Sequence, residues 1–162
     1  MTAFPGAAKG LARATMLPTP ATGVAMNNHL DVVRSLYQAF AAGDIAALLG
    51  ALAADVHWTE AAGGPYAGVS IGPDAVLANV FARIAADWDG YAVVPGEFVA
   101  QGSTVVALGE YSGTCKASGK FFTAAFAHVW KFDDGRIVSF RQHTDTALIL
   151  LAMRTAGRGG PR

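Results

Sequence analysis

Apolar and polar positions recur with two periods along this chain, one of three to four residues in the first half and one of two residues in the second. Val33, Leu36, Tyr37 and Phe40 fall on one helical face, with Asn28 placed to cap the helix and Gly43 to end it. Asp44 can cap a second, short helix that carries Ile45, Leu48, Leu49 and Leu52 on one side. A third helix starts at Ser70 or Gly72 with Pro73 in its first turn. Its stripe of Leu77, Phe81, Ile84 and Trp88 also suits plain core, and Gly90 closes it. From Tyr91 the period drops to two. Residues 91–100, 104–114, 121–132 and 136–144 are rich in Val, Phe, Tyr and Thr, and the links between them are short. Short links make antiparallel neighbours.

An earlier strand runs through Ala54 to Glu60, followed by Gly63, Gly64, Pro65 and Gly68 around Tyr66, turn chemistry that suits the rim of a pocket. Asp145 is placed to cap a terminal helix over 146–153. Three helices, then a meander of four long strands joined by the Trp58 strand, predict an α+β domain with helices on one face of a curved antiparallel sheet. The domain spans 28–153. Residues 1–27 carry no periodic apolar face and read as a disordered arm, and 154–162 as a flexible tail.

Composition narrows the functional classes. Of the 162 residues 52% are hydrophobic and 15% charged, the balance of a compact globular domain. No apolar run reaches the ~18 residues of a membrane span. The lone Cys115 makes no demand for an oxidising compartment, so a cytoplasmic home is expected. All 12 acidic residues lie between 28 and 153, against only seven of the 12 basic ones, and an acidic body is a poor nucleic-acid surface. The four histidines are scattered without metal-ligand spacing, and neither a phosphate loop nor a nucleophile elbow is present.

The candidate chemistry comes from strand alternation. Val56, Trp58 and Glu60 share a face, so an inward Trp58 takes a carboxylate inside with it. Phe122, Ala124, Phe126, His128, Trp130 and Phe132 share another bulky face, which puts a histidine among aromatics. A buried carboxylate must be paired, protonated or employed. Glu60 and His128 are therefore expected to line one cavity. Gln142 goes with Phe140 as a neutral polar group. Of Glu110 and Tyr111 only one can look inward, and the pattern leaves both open. Thr123, Ala125, Ala127 and Val129 form a flat outward row suited to a homodimer interface.

The segments Val32 to Asp44, Ala54 to Glu60 and Ala127 to Ile137, in this order of elements, resemble the nuclear transport factor two-like superfamily, and within it the SnoaL-like and ketosteroid isomerase-like group. The resemblance covers residues 28 to 150 and implies a cone-shaped sheet wrapped around three helices, with a pocket between sheet and helices, and a dimer. It places Glu60 at the isomerases' general-base aspartate and His128 at their protonated oxyanion-hole aspartate. Leu36 stands where their oxyanion tyrosine does, with Tyr37 about 100° further around the helix. The implied activity is cofactor-free proton transfer on a small apolar carbonyl compound, of isomerase, polyketide cyclase or hydratase type. Tyr37, Trp58, Tyr66, Phe81, Trp88, Phe126, Trp130, Phe140 and Gln142 would shape the pocket. The alternative is a binding module of the same fold.

Overall fold

The computed structural model describes residues 22–155, with side chains from Asn28 onward. Residues 1–21 of the expected arm and 156–162 of the expected tail lie outside the described residues. Helix α1 (Thr22–Ala41) begins six residues before the expected cap at Asn28, so the domain's first element reaches into the segment read as an arm. It stops at Gly43, whose φ of 74° lets the backbone turn left-handed while the Gly43 and Asp44 amides bond back to Phe40 and Ala39. Asp44 accepts the Ala47 amide at 2.9 Å and opens α2 (Ile45–Gly50). Leu52, expected on this helix, is the first residue of strand β1 (Leu52–Glu60) and is buried there.

The expected loop over 61–70 ends in a short edge strand, β2 (Gly68–Ile71). Its pattern is inverted: Val69 and Ile71 face solvent, while Ser70 is buried and accepts a bond from Asn79 at 3.2 Å. That inversion hides it from a reading of apolar alternation. The third helical segment runs as α3 (Pro73–Val76), a π-helical turn (Leu77–Phe81) and α4 (Ala82–Asp87). Val76 and Val80 are its fully buried positions; of the expected stripe Phe81 and Ile84 face inward against the core, while Leu77, 41% exposed, turns out. Trp88 is not on this helix at all; it starts strand β3 (Trp88–Gln101).

Strands β4 (Thr104–Cys115), β5 (Phe121–Asp133) and β6 (Arg136–Thr144) complete the meander within one residue of expectation, and Asp145 caps α5 (Thr146–Met153) through the Ala147 and Leu148 amides. The strands form one curved, unclosed sheet in the order β2-β1-β6-β5-β4-β3. Every pairing is antiparallel except β1 with β6, which run parallel. A core of Val33, Val56, Val76, Val105, Ile137 and Phe140 joins the helices to the sheet. No described helix is long and apolar enough to cross a membrane.

Candidate functional site

The register of three strands builds the site. Trp58 on β1 pairs with Phe140 on β6, and Phe140 pairs with Trp130 on β5. Their rings form a continuous apolar row, with Trp58 stacked on Phe140 at 3.8 Å and Phe140 against Trp130 at 4.6 Å between centroids. Side chains repeat every second residue, so the next inward row takes Glu60, Gln142 and His128 from the same strands. His128 is paired with Gln142, and the Ala61 amide next to Glu60 donates to Gln142 Oε1 at 3.1 Å. A polar row thus lies one pleat along from an aromatic one.

Helices close the space above these rows. Leu36, Tyr37 and Phe40 come from α1 and Leu48 from α2; the π-helical turn supplies Val80 and Phe81, and α4 supplies Ile84. Tyr91, Val93 and Tyr111 reach in from β3 and β4. Together these side chains enclose a mostly apolar cavity that is open at its mouth.

Glu60 is 6% exposed and receives the Trp58 indole N–H at 2.7 Å. The two ion pairs among the described residues, Arg34 with Asp31 and Lys116 with Asp89, are both elsewhere, so no cation offsets its burial. Desolvation pushes its pKa up to about 7, and the Trp58 N–H and the nearby Gln142 amide draw it only partway back. The carboxyl therefore gains and loses a proton near neutrality.

His128 is 4% exposed, and both ring nitrogens are engaged. The Tyr37 hydroxyl meets Nδ1 at 2.8 Å and the Tyr111 hydroxyl meets Nε2. Burial, helped by His143, pushes the histidine down to about 3, so it is neutral. The same burial drives the phenol pKa values of Tyr37 and Tyr111 upward, keeping both protonated. Each phenol oxygen also receives an N–H, Tyr37 from Trp130 at 3.1 Å and Tyr111 from Gln142 at 2.9 Å.

A neutral imidazole offers one N–H and one bare nitrogen. One tyrosine must donate its O–H to the bare nitrogen, while the other accepts the histidine N–H and keeps its own O–H free. Among the described residues nothing takes that spare proton, and both phenols line the cavity. His128 lines the cavity as expected beside Glu60, with a tyrosine hydroxyl on each ring nitrogen.

Six of the expected lining residues, Tyr37, Trp58, Phe81, Trp130, Phe140 and Gln142, face the main cavity. Tyr66 and Trp88 line a second, smaller recess beside it. There Trp88 donates to the Tyr66 hydroxyl at 2.9 Å and Tyr66 donates to Asp87 at 2.8 Å. Phe126 lines neither space; it lies beneath His128, stacked at 4.0 Å. Gly109 makes its room, since a Cβ there would sit 2.6 Å from the Phe126 ring. Sequence alternation missed Tyr91 and left Tyr111 undecided; Tyr111 is the inward one, 3% exposed.

Residues 33–140 match the model of the SnoaL-like domain. An NTF2-like (nuclear transport factor two-like) protein from Burkholderia thailandensis is 40% identical, with 78% of this chain and 97% of that one covered and a TM-score of 0.76. An NTF2-like protein of unknown function from Burkholderia pseudomallei is 34% identical, covering 79% and 98%, with a TM-score of 0.74. The fold is also that of TerC co-crystallised with polyporic acid, at 24% identity, 78% and 98% coverage and a TM-score of 0.70. No curated protein matches the chain.

Proposed function

The chain belongs to the SnoaL-like domain family, and from that premise we propose that its cavity is the active site of a cofactor-free proton-transfer enzyme. The substrate class is a small, mostly apolar carbonyl compound, and the reaction is of isomerase, cyclase or hydratase-like type. One observation carries this reading: a buried carboxyl that has no cationic partner among the described residues shares an apolar cavity with a phenol O–H that has no acceptor among them.

Glu60 takes a proton from the carbon beside the carbonyl. The electron pair moves onto the carbonyl oxygen, and the spare O–H of Tyr37 or Tyr111 donates to the oxyanion as it forms. His128 stays neutral throughout and acts as a positioning residue that fixes which phenol is free. Glu60 then returns a proton to a different carbon or to the oxygen, and the carboxylate is restored.

The test is deuterium uptake from solvent at the acidic carbon of a panel of ketones, followed by NMR. Glu60→Gln should keep fold and ligand binding and lose exchange by about 10³-fold, within the range for removal of a general base. Unchanged exchange in that variant would remove Glu60 from the mechanism. A second reading, a binding module that holds its ligand unchanged, draws support from the polyporic acid in the TerC crystal. It would take precedence if ketones bound and none exchanged.

A further inference from the structure

We propose that the recess behind Glu60 is a water site that connects its carboxyl to solvent while a ligand fills the apolar cavity. The inference rests on the cavity being the ligand site, and not on any particular reaction there. Glu60, Tyr91 and Gln142 are the residues common to the linings of the two spaces, so the carboxyl stands in a partition with the apolar cavity in front and the recess behind. Gln142 is held at both ends of its amide, by the Ala61 N–H and by the Tyr111 hydroxyl, which keeps the partition still.

A water in such a place needs two to four polar partners. Glu60 offers a carboxyl, Thr146 a hydroxyl at the start of α5, and Tyr91 a phenol that makes no hydrogen bond among the described residues. The recess is smaller than the cavity, about 10 Å³ against about 50 Å³, which is room for a single water and not for a substrate ring. A Cβ at Gly64 would already lie 3.2 Å from the Ala61 carbonyl oxygen and 3.3 Å from the Thr146 methyl. Nor does the wall swing freely. Beyond the Tyr66 bonds to Asp87 and Trp88, Arg83 donates to the Pro65 carbonyl at 2.9 Å and covers the Tyr66 ring at 4.9 Å. Four contacts thus pin the loop over the recess and set its bore at the scale of water.

The consequence is chemical. A bound ligand closes the front, and a carboxyl with no other exit could only hand back the hydrogen it took. With a water behind it, the carboxyl hydrogen leaves with the water and a solvent hydrogen replaces it, with no change in net charge.

The experiment fills the front with 2-naphthol, a neutral two-ring phenol whose binding is followed by quenching of tryptophan fluorescence. The complex is mixed into D2O below pD 7, and deuteration of the protonated Glu60 carboxyl is followed by its infrared band, assigned by its loss in Glu60→Gln. Wild-type exchange should change by less than about twofold on naphthol binding, whereas Thr146→Leu and Ala67→Leu, which fill the recess, should slow the naphthol-bound exchange by about tenfold or more. Both variants should keep wild-type naphthol affinity and wild-type exchange when the cavity is empty. A tenfold slowing of the wild type on naphthol binding, or plugged variants that exchange like wild type, would overturn the water site alone. Failure of 2-naphthol to bind would overturn the cavity reading, and the water site with it.

Discussion

Two corners of one cavity hold the buried polar groups, and the protein treats them oppositely. At the β1 corner, Glu60 has the indole N–H of Trp58 beside it, no cation, and a pKa raised to about 7. At the β5 corner, His128 has a tyrosine on each nitrogen, those tyrosines have further N–H donors of their own, and the pKa falls to about 3. Burial is nearly equal at 6% and 4%. What differs is how fully the surrounding groups commit the proton positions. The crowded network freezes its histidine in one charge state and leaves over a single directed O–H, while the sparse corner leaves its carboxyl able to change state.

The sharpest break of that contrast is Glu60→Gln, the largest expected loss. Next come Tyr37→Phe and Tyr111→Phe. The tyrosine with the free O–H should cost about 10²-fold in turnover or more, as loss of an oxyanion donor does, and the other tyrosine less. The unequal pair would reveal which nitrogen of His128 carries the hydrogen. Losses below threefold in both would show that neither phenol meets the reacting oxygen.

Stability against pH sharpens the same comparison. The folded pKa of Glu60 lies above its ordinary value of 4.5, so its contribution is complete below that value and is lost as pH rises through about 7, a change of about 3 kcal/mol. The folded pKa of His128 lies below its ordinary 6.5, so its contribution is complete above that value and is lost as pH falls towards about 3, by about 5 kcal/mol. The slopes oppose each other and cancel between pH 4.5 and 6.5. Urea unfolding of Glu60→Gln should therefore show stability climbing with pH across that window by about 1.4 kcal/mol per unit, and His128→Gln should show it falling. A flat profile in both would mean that neither burial penalty is felt.

The two faces of β5 repeat the contrast more weakly. Inward, Phe126 and His128 are packed; outward, Thr123 and Ala125 are exposed and Ala127 and Val129 half-buried. We propose this outer row as a homodimer interface. Ala125→Arg should then halve the mass seen by light scattering and leave 2-naphthol affinity within about twofold, because the inner face is untouched. An unchanged mass would place any interface elsewhere.

Much of this was legible because alternation reports faces. Glu60 rides with Trp58 and His128 with Trp130 whatever the partners of their strands, and the caps at Asp44 and Asp145 are local. Alternation does not report partners. Nothing in the pattern says that β1 lies parallel to β6, and that pairing puts Gln142 between Glu60 and His128. Tyr111 could not be chosen over Glu110 because both faces of β4 carry apolar residues, Val105 and Ala107 on one and Val106 and Leu108 on the other. The outward turn of Leu77 follows from a π-helical turn, which a search at regular helical spacing does not see. The histidine's true partners depended on Tyr37, whose side chain reaches 91 residues along the chain to find it.

The parallel pairing also sets when the cavity comes into being. Strands β3 to β6 meet through short links, but β1 waits for β6, and the bond from Ala61 to Gln142 spans 81 residues. Long-range pairings of this kind form late, after the entropy of closing a large loop has been met. On this topology the strand that carries Glu60 is expected to dock last, and Val56→Ala should then quicken unfolding more than it slows folding, which the two arms of a chevron plot would read. A population can keep its four-stranded meander, show most of the strand signal of the native protein, and have no site at all.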